Sequence, residues 1–301
     1  MASEKKHYVA SAQERAAVER EYMQSSGIKT LINSLSGGVD SSVSAYVSKL
    51  AAPQGTLALL LPCSTAEELK GERLKDIEDG QRVADHLGIP SVVVNLGDVW
   101  QQVSALYTQA AQEMAAKRGV PLDEAKLRWA INNLKPTLRM MTAGFFADAF
   151  QGLMMGTDNV IENFLGYFSI RGDGVADRQP IRDCTKAEVR DLAASADYPE
   201  DLVKRTPTAG LWPGQTDEGE LGFSYDDADK FFLWLLDRHM STPVMDNYMT
   251  VLADQVEGII ADATLPVKPE VARRIIAQNR KTAFKRKADD LEKVLAKRHL
   301  A

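Results

Sequence analysis

The chain has 301 residues, 45% hydrophobic and 26% charged, with a formal net charge of −6. This is ordinary globular composition, and no apolar run approaches the ~20 residues that a membrane-spanning helix needs. The two cysteines, Cys63 and Cys184, lie far apart and without metal-ligand spacing, and residues 1–24 are too charged for a signal peptide, so a reduced, cytoplasmic protein is expected.

The first half of the chain alternates short apolar stretches with helical segments. The pattern predicts helices over 11–27, 43–50, 72–87, 99–117 and 136–150, with strands over 29–33, 56–61, 91–95 and 153–155. Strands that alternate with helices indicate parallel βαβ units with right-handed crossovers. The apolar stretches do not alternate with polar residues, which is typical of strands covered on both faces.

The second half has a different texture. Residues 172–180 and 206–222 are loops rich in Gly, Pro and Asp, and a loop as long as the second is commonly functional. Helices are predicted over 226–239, 242–263 and 268–297. We therefore expect a nucleotide-binding domain over 1–225 and, packed on it, a helical extension over 226–301. Residues 268–298 carry eleven Lys or Arg against four Asp or Glu, a basic run that by default is a solvated helix face.

Residues 36–42 form a glycine-rich turn between a predicted strand and a predicted helix. Gly37 and Gly38 permit close backbone approach to a ligand, and the amide groups at the start of the following helix favour an anion. Ser36 and Ser41 add hydroxyl donors. Asp40 belongs in an anion site only if a divalent cation bridges it to phosphate, so the loop predicts Mg²⁺.

The loop departs from the phosphate-binding motif G-x-x-x-x-G-K-[ST], since it lacks the lysine. It matches S-G-G-x-D-S and so resembles the PP-loop ATP pyrophosphatases, which cleave ATP between the α- and β-phosphates. The simpler interpretation is a βα turn with a polar helix cap.

Motifs in the second half narrow the resemblance. They are GTDN at 156–159, GYF at 166–168, GDG at 172–174 and LWPGQTDEGELG at 211–222, with Glu162 and Lys186 between them. Their order and spacing resemble the ammonia-dependent NAD synthetases over about residues 28–225. The resemblance implies an open, mostly parallel five-stranded Rossmann-like sheet of the ATP pyrophosphatase type, with helices on both faces and ATP at the carboxyl ends of the strands.

The resemblance also implies roles for individual residues. Asp40 and Glu162 would bind Mg²⁺, and Lys186 and Thr208 would contact the triphosphate. Asp173 and Asp177 would lie near the nicotinate end, where they could hold ammonium, remove its proton or contact the ribose of the substrate. The expected catalytic residues are Asp173, Lys186 and Asp40. The expected ATP-binding residues are Ser34, Leu35, Ser36, Gly37, Gly38, Val39, Asp40, Ser41, Leu61, Thr157, Lys186 and Thr208. The expected residues for deamido-NAD are Arg139, Asn133, Phe168, Arg171, Asp173, Asp177, Arg280 and Lys281.

The implied reaction has two steps. The nicotinate carboxylate of deamido-NAD attacks the α-phosphorus of ATP, which gives an acyl adenylate and pyrophosphate, and ammonia then displaces AMP to give NAD. Asp173 is a candidate acceptor for the proton of ammonium. Loop 206–222 is expected to close over the adenylate and exclude water. The chain before the first strand is too short for a glutaminase domain, so ammonia is expected free or from a separate subunit.

Two positions depart from the family at the dinucleotide end. Ile170 stands where many members have Lys in FFTKYGDG, with Arg171 beside it, and Arg280 stands where the family's HKR has His. The alternatives are therefore an amide ligase for another carboxylate, a tRNA thiolase of the same superfamily, and a nucleotide-binding regulatory module. Against a thiolase, neither cysteine of this chain has a Cys-x-x-Cys partner. Against a regulatory module, nucleotide binding without catalysis does not require both Asp40 and Glu162. The resemblance implies a homodimer. The composition favours neither a membrane nor a nucleic-acid partner, since no apolar run is long enough to span a bilayer and the basic run has no interleaved aromatic residues except Phe284.

Overall fold

The centre of the fold is a parallel sheet with strand order β3-β2-β1-β4. The computed structural model describes residues 9–64, 72–203, 214–287 and 294. The strands are β1 (Thr30–Ser34), β2 (Thr56–Leu60), β3 (Ser91–Val93) and β4 (Gly152–Met155). Leu31 pairs with Thr56 of β2 on one side and with Leu153 of β4 on the other, so β1 lies inside the sheet. The carboxyl ends of all these strands meet at one edge.

Helices cover the sheet and continue beyond it. Those before residue 200 are α1 (Ala12–Ser26), α2 (Val39–Ala51), α3 (Glu72–Leu87), α4 (Gly97–Arg118), α5 (Glu124–Ala149), α6 (Val160–Leu165) and α7 (Lys186–Ala194). Those after it are α8 (Glu200–Val203), α9 (Asp217–Leu221), α10 (Tyr225–Ser241), α11 (Val256–Ile260) and α12 (Pro269–Lys281). Single 3₁₀ turns lie at Asp173–Val175, Ala253–Gln255 and Ala283–Lys285.

Both faces of the sheet are buried, as the unalternating strands predict. Leu31 packs in a cluster with α1, α2, α3 and α7, whereas its neighbour Ile32 packs in a second cluster with α4 and α5. Successive residues of a strand point to opposite faces, so both must be apolar when both faces are covered. The open α/β architecture expected from the sequence is confirmed, with one change in the number of strands.

The sheet has four strands over the residues that the structure describes, not the five expected. The chain runs beside β4 once more, but only one parallel bridge forms, between Met155 and Arg178. Arg178 is bound there through its side chain, which donates to Glu19 of α1 at 2.7 Å. Pro180 follows and supplies no backbone donor, so the ladder does not continue.

Three predicted helices have other bounds. Helix α5 begins at Glu124, twelve residues before the predicted start at Pro136, because Asp123 caps it by accepting hydrogen bonds from Ala125 and Lys126. The helix predicted over 242–263 is mostly absent: Met245 bridges to Val251 in antiparallel fashion, and helix returns only after Leu252. The helix predicted over 268–297 ends at Lys281, and 288–293 and 295–297 lie outside the described residues.

A third buried cluster joins α6 to the helices after Tyr225. Phe164 and Phe232 meet in it with ring centroids 5.1 Å apart. Arg286 lies across the same region and donates to the carbonyl oxygens of Phe164 and Asn279. The division of the chain at residue 225 stays a prediction. Across the described residues, no helix is long and apolar enough to pass through a bilayer.

Candidate active site

The glycine-rich turn lies where β1 ends and α2 begins. Gly37 has φ of 75°, a value that favours glycine, and Gly38 is the N-cap of α2. The hydroxyl groups of Ser36 and Ser41 lie 3.1 Å apart, and the Ser41 hydroxyl also donates to the carbonyl oxygen of Gly38. The turn is therefore held by its own side chains, with the first turn of α2 and Asp40 at its edge.

A capping box at the start of α6 carries the second carboxylate to this point. The Asn159 side chain accepts from the amides of Ile161 and Glu162, while the Glu162 carboxylate accepts from the amide of Asn159. The Asn159 amide group also donates to Asp40 Oδ1 at 3.0 Å. Asn159 therefore connects the two carboxylates predicted to bind the metal, a role not predicted from the sequence although N-x-x-E is a capping signature.

Lys186 is the first residue of α7 and lies between these two carboxylates. Its Nζ is 2.5 Å from Asp40 Oδ2 and 3.3 Å from Glu162 Oε1. The side chain is only 2% exposed. A buried ammonium at the positive end of a helix dipole is unfavourable unless it is paired. The two carboxylates provide that pairing, and the structure thus brings Asp40, Glu162 and Lys186 together.

The ionisation of the cluster follows from burial and charge. Burial raises the pKa of Glu162 well above its ordinary value. Burial also raises the pKa of the neighbouring Asp158 to about 7, with Asp173 and Asp40 acting in the same direction. Burial lowers the pKa of Lys186, but the charges of Asp40 and Glu162 outweigh it, so the pKa ends above its ordinary value. Lys186 therefore stays an ammonium at neutral pH.

The backbone of Lys186 is held by Asp229 of α10. Its carboxylate accepts from the amides of Lys186 at 3.1 Å and Ala187 at 2.8 Å, which caps α7. Burial raises the pKa of Asp229 to about 6. A raised acid pKa means that the folded state binds the proton more tightly, so this stabilising contribution is present at low pH and is lost as the pH rises through about 6.

We expect an Asp229→Asn variant to lack this pH-dependent contribution to the free energy of unfolding, because asparagine does not titrate. Between pH 5 and pH 8 the free energy of unfolding of the unmodified chain should fall relative to the variant by on the order of 1 kcal/mol. Chemical denaturation at both pH values measures the difference. An exposed carboxylate on the same helix, Asp226, provides the control as Asp226→Asn, and an equal shift in the control would contradict the assignment.

Asp173 lies in a separate loop held against α5. Its Oδ1 accepts from the amide of Ser169 at 2.8 Å, and the Ser169 hydroxyl donates to Asn133 Oδ1 at 2.8 Å. Burial raises the pKa of Asp173, while Lys285 and Arg139 act to lower it. Arg139 also donates to the carbonyl oxygen of Leu61, so these two residues of the predicted site are in direct contact. Asn133, Arg139 and Asp173 are thus brought close together.

Gly172 allows this loop to approach α5. A Cβ at position 172 would lie 2.6 Å from Cβ of Pro136, a rigid ring, and 3.0 Å from Cβ of Ser169. We expect Gly172→Ala to displace Asp173. If the chain catalyses the amidation that its sequence implies, kcat for that step should fall roughly tenfold or more, while the implied binding of ATP is retained. Single-turnover kinetics separates the two. Gly258→Ala, where no atom lies within 4 Å of the added Cβ, is the control and should leave both unchanged.

Two C-terminal residues, Arg280 and Lys281, were predicted to bind the dinucleotide. Arg280 donates to the carbonyl oxygen of Val251, and Lys281 is exposed. Lys285 instead donates to the carbonyl oxygens of Gly166 at 2.8 Å and Phe168 at 2.7 Å. Its Nζ also lies 5.6 Å from the centre of the Phe168 ring.

The geometry therefore favours Lys285 over Arg280 for a place near Asp173. The signal was present in the sequence, since Phe284-Lys285-Arg286 keeps two of the three residues of HKR. Burial lowers the pKa of Lys285, and Asp173 opposes that shift.

The remaining predicted residues fall into three groups. Ser34, Leu35, Val39 and Leu61 lie at the carboxyl ends of β1 and β2 beside the turn, and Thr157 follows β4 at the same edge. Asp177 is exposed and accepts from the amide of Met154, and both Ile170 and Arg171 are exposed. Thr208 lies outside the described residues, as do residues 206–213 of the predicted loop.

A hydrogen-bonded group at the start of α9 and α10 also reaches the cluster. The Tyr225 hydroxyl lies 3.2 Å from Asp217 Oδ2 and 3.4 Å from Glu162 Oε1, and the Tyr167 hydroxyl lies 3.2 Å from Asp217 Oδ1. Tyr225 was not predicted from the sequence, because an aromatic residue at the start of an amphipathic helix has the pattern of a core residue.

The carboxylate pair fits a hard divalent cation. Mg²⁺ is commonly bound by one or two carboxylates, with phosphate oxygens and water as the other ligands. Asp40 and Glu162 supply oxygen donors from two helices, and the ammonium of Lys186 already lies between them as a positive charge. Among the described residues no group of three or more His, Cys, Asp or Glu is arranged for a metal.

Sequence comparisons identify relatives along most of the chain. A family model described as NAD synthase matches residues 11–289. The NH(3)-dependent NAD(+) synthetase of Carboxydothermus hydrogenoformans is 40% identical over 215 residues, which are 71% of this chain and 81% of that protein. The protein of the same description from Pyrococcus furiosus is 30% identical over 264 residues, or 85% of this chain and 94% of its own length.

Solved structures support the fold. The structure of NMN synthetase from Francisella tularensis has a TM-score of 0.68 at 24% identity and covers 92% of this chain and 94% of its own. The NH3-dependent NAD synthetase of Campylobacter jejuni, in complex with nitrate, has a TM-score of 0.63 at 20% identity, with 91% and 93% covered. At these identities the likeness concerns the architecture.

Proposed function

The chain belongs to the NAD synthase family, and we propose that it is an ammonia-dependent NAD synthetase, a carbon–nitrogen ligase that uses ATP as co-substrate. The observation that carries the proposal is the meeting of Asp40, Glu162 and Lys186 at the end of the glycine-rich turn. Two carboxylates and one ammonium at a phosphate cradle suit cleavage of ATP, in which negative charge accumulates on the leaving pyrophosphate.

In the first step the chain's residues hold ATP for attack at its α-phosphorus. We propose that the amides of the turn bind the phosphates together with the Ser41 hydroxyl, which in this structure donates to the carbonyl oxygen of Gly38, and that Thr157 contributes from the neighbouring strand end. Lys186 supplies a fixed positive charge toward the pyrophosphate, held by the cap that Asp229 forms on α7. We propose Mg²⁺ as the cofactor, with Asp40 and Glu162 as its protein ligands. Held by these residues, Mg²⁺ would supply positive charge to offset the negative charge that accumulates on the leaving pyrophosphate.

In the second step ammonia replaces AMP. Ammonium predominates at neutral pH, so a proton must be removed before the nitrogen can attack. Burial raises the pKa of Asp173, which makes its carboxylate a stronger proton acceptor than an exposed aspartate. Arg139 and Lys285 lie near it and suit the anionic part of the dinucleotide. Asn133 and Phe168 hold the loop that carries Asp173.

The test is a direct assay with ATP, Mg²⁺, ammonium and deamido-NAD. We expect one AMP and one pyrophosphate for each NAD formed. The acid form of NMN belongs in a parallel reaction, because Ile170 and Arg280 depart from the family pattern and one similar structure is that of an NMN synthetase. Amidation of the mononucleotide alone would replace the proposed acceptor.

Two further outcomes would favour a different activity. AMP release that depends on tRNA and a sulfur donor would favour a thiolase. ATP binding without AMP release for any acceptor would favour a regulatory module.

We propose that the protein is a homodimer formed through α4 and α5. This helix pair presents large apolar side chains to solvent, which marks an interaction surface. They are Leu106, Tyr107, Met114, Trp129, Met141 and Phe145. Light scattering should give the mass of two chains, and Phe145→Glu should halve it, because a charge in an apolar interface is strongly unfavourable. Met240→Glu, at an exposed apolar residue of α10, should remain a dimer; a dimeric Phe145→Glu protein would contradict this surface.

We also propose a cytoplasmic location. Cys63 and Cys184 are both buried thiols, which suits a reducing compartment.

A further inference from the structure

Tyr225, the first residue of α10, contacts both Lys186 and Glu162 of the charged cluster. Its ring is 2% exposed and lies under the Lys186 ammonium, with Nζ 4.7 Å from the ring centre. We propose that Tyr225 is a positioning residue for Lys186: the face of its ring carries the ammonium, and its hydroxyl fixes the plane of the ring. The inference rests on the proposed role of Lys186 in binding ATP.

The ring matters because the carboxylates have a second task. In this structure Asp40 and Glu162 balance the charge of Lys186. If the same carboxylates bind a divalent cation, they neutralise less of the positive charge of Lys186, while its ammonium group stays buried. An aromatic face attracts a desolvated ammonium through the ring quadrupole and needs no ionisation. Beside the charge of Asp217, which also favours the ammonium, the Tyr225 ring can stabilise Lys186 in that state while leaving its N–H groups free for phosphate.

The hydroxyl group fixes the ring from its far end. It has one proton and two carboxylate neighbours, Asp217 and Glu162, so it can donate to either one. The Tyr167 hydroxyl lies 3.2 Å from Asp217 Oδ1 and 2.8 Å from Glu220 Oε2, so it can donate to Asp217 when the Tyr225 proton turns to Glu162. The ring therefore stays oriented whichever carboxylate is engaged.

A purely structural role is the competing interpretation, since Tyr225 also belongs to the apolar cluster around Phe232. A substitution that removes the ring, such as Tyr225→Leu, would lower the stability of the fold under either interpretation. Replacement by phenylalanine with zero to three ring fluorines separates them, because fluorine withdraws charge from the ring face with little change in shape. The attraction to an ammonium then weakens stepwise, whereas packing is retained.

The experiment is calorimetric titration of the full-length protein with ATP and Mg²⁺ for this series. Loss of the hydroxyl in Tyr225→Phe should weaken ATP binding by up to roughly threefold, which measures how much the hydroxyl orients the ring. The trifluorinated variant should weaken binding by about tenfold more, with a graded change between. The same series at Phe232 is the matched control and should leave ATP binding unchanged. Thermal unfolding of each variant establishes that it is folded.

A flat series at position 225, or an equal trend at 232, would overturn the inference. The titration needs no acceptor, so it remains decisive even if the protein fails to make NAD. In that case the proposed function fails while the role of Tyr225 toward Lys186 is still tested. If NAD is made but the series is flat, only the present inference fails.

Discussion

Asp40→Asn is expected to lower kcat for AMP formation by roughly 10²–10³-fold. Asparagine keeps the shape of the side chain and an acceptor for the Asn159 amide group, so the backbone of α2 should be unchanged. The negative charge is lost, however, and with it the 2.5 Å ion pair to Lys186 and one of the two carboxylates available to a cation. Pyrophosphate release in the presence of ATP, Mg²⁺ and acceptor measures the effect.

The control for this variant is Asp226→Asn. It removes an exposed carboxylate of α10 that is paired with Lys230 of the same helix, α10. Its rate should match that of the unmodified chain. Full retention of pyrophosphate release by Asp40→Asn would show that the cluster does not act on ATP.

Lys186→Met is expected to have a comparable effect on the rate and a large effect on stability. Methionine fills most of the volume of the lysine side chain but leaves Asp40 and Glu162 facing each other without a counter-charge. Removing one partner from a buried ion pair costs about 3–5 kcal/mol in free energy of unfolding. Chemical denaturation at pH 8, where carboxylates favour ionisation, measures the change.

A second substitution distinguishes the two effects. Lys186→Met combined with Glu162→Gln removes one of the opposed charges, so part of the lost stability should return. The rate should stay low, because neither the ammonium nor the second carboxylate is present. Recovery of activity in the double variant would show that Lys186 is needed only to neutralise Glu162.

Much of the site was predictable because its parts are local motifs. The turn over 36–42 brings Ser36, Gly37, Gly38, Asp40 and Ser41 to one place by its own geometry, and the alternation of strands and helices predicts the edge of the sheet where it lies. Glu162 is also oriented locally, because the capping box joins it to Asn159, only three residues earlier in the chain. For these residues spacing alone carries the information.

The sequence by itself determined the parallel α/β architecture, the glycine-rich turn between β1 and α2, and the set of charged residues around it. The tertiary structure alone decided which of those residues meet. It pairs Lys186 with both carboxylates, moves Lys285 rather than Arg280 toward Asp173, and places the Tyr225 ring against the ammonium.

The physical reason is the distance along the chain. Lys186 and Asp40 are 146 residues apart, and the contact depends on how α2, α7 and α10 pack. The sequence pattern of each helix records which face is buried, but not which neighbour covers it. The prediction of a fifth strand was wrong because of another contact between residues distant in the chain. The side chain of Arg178 binds Glu19 of α1, and the backbone forms only one bridge beside β4.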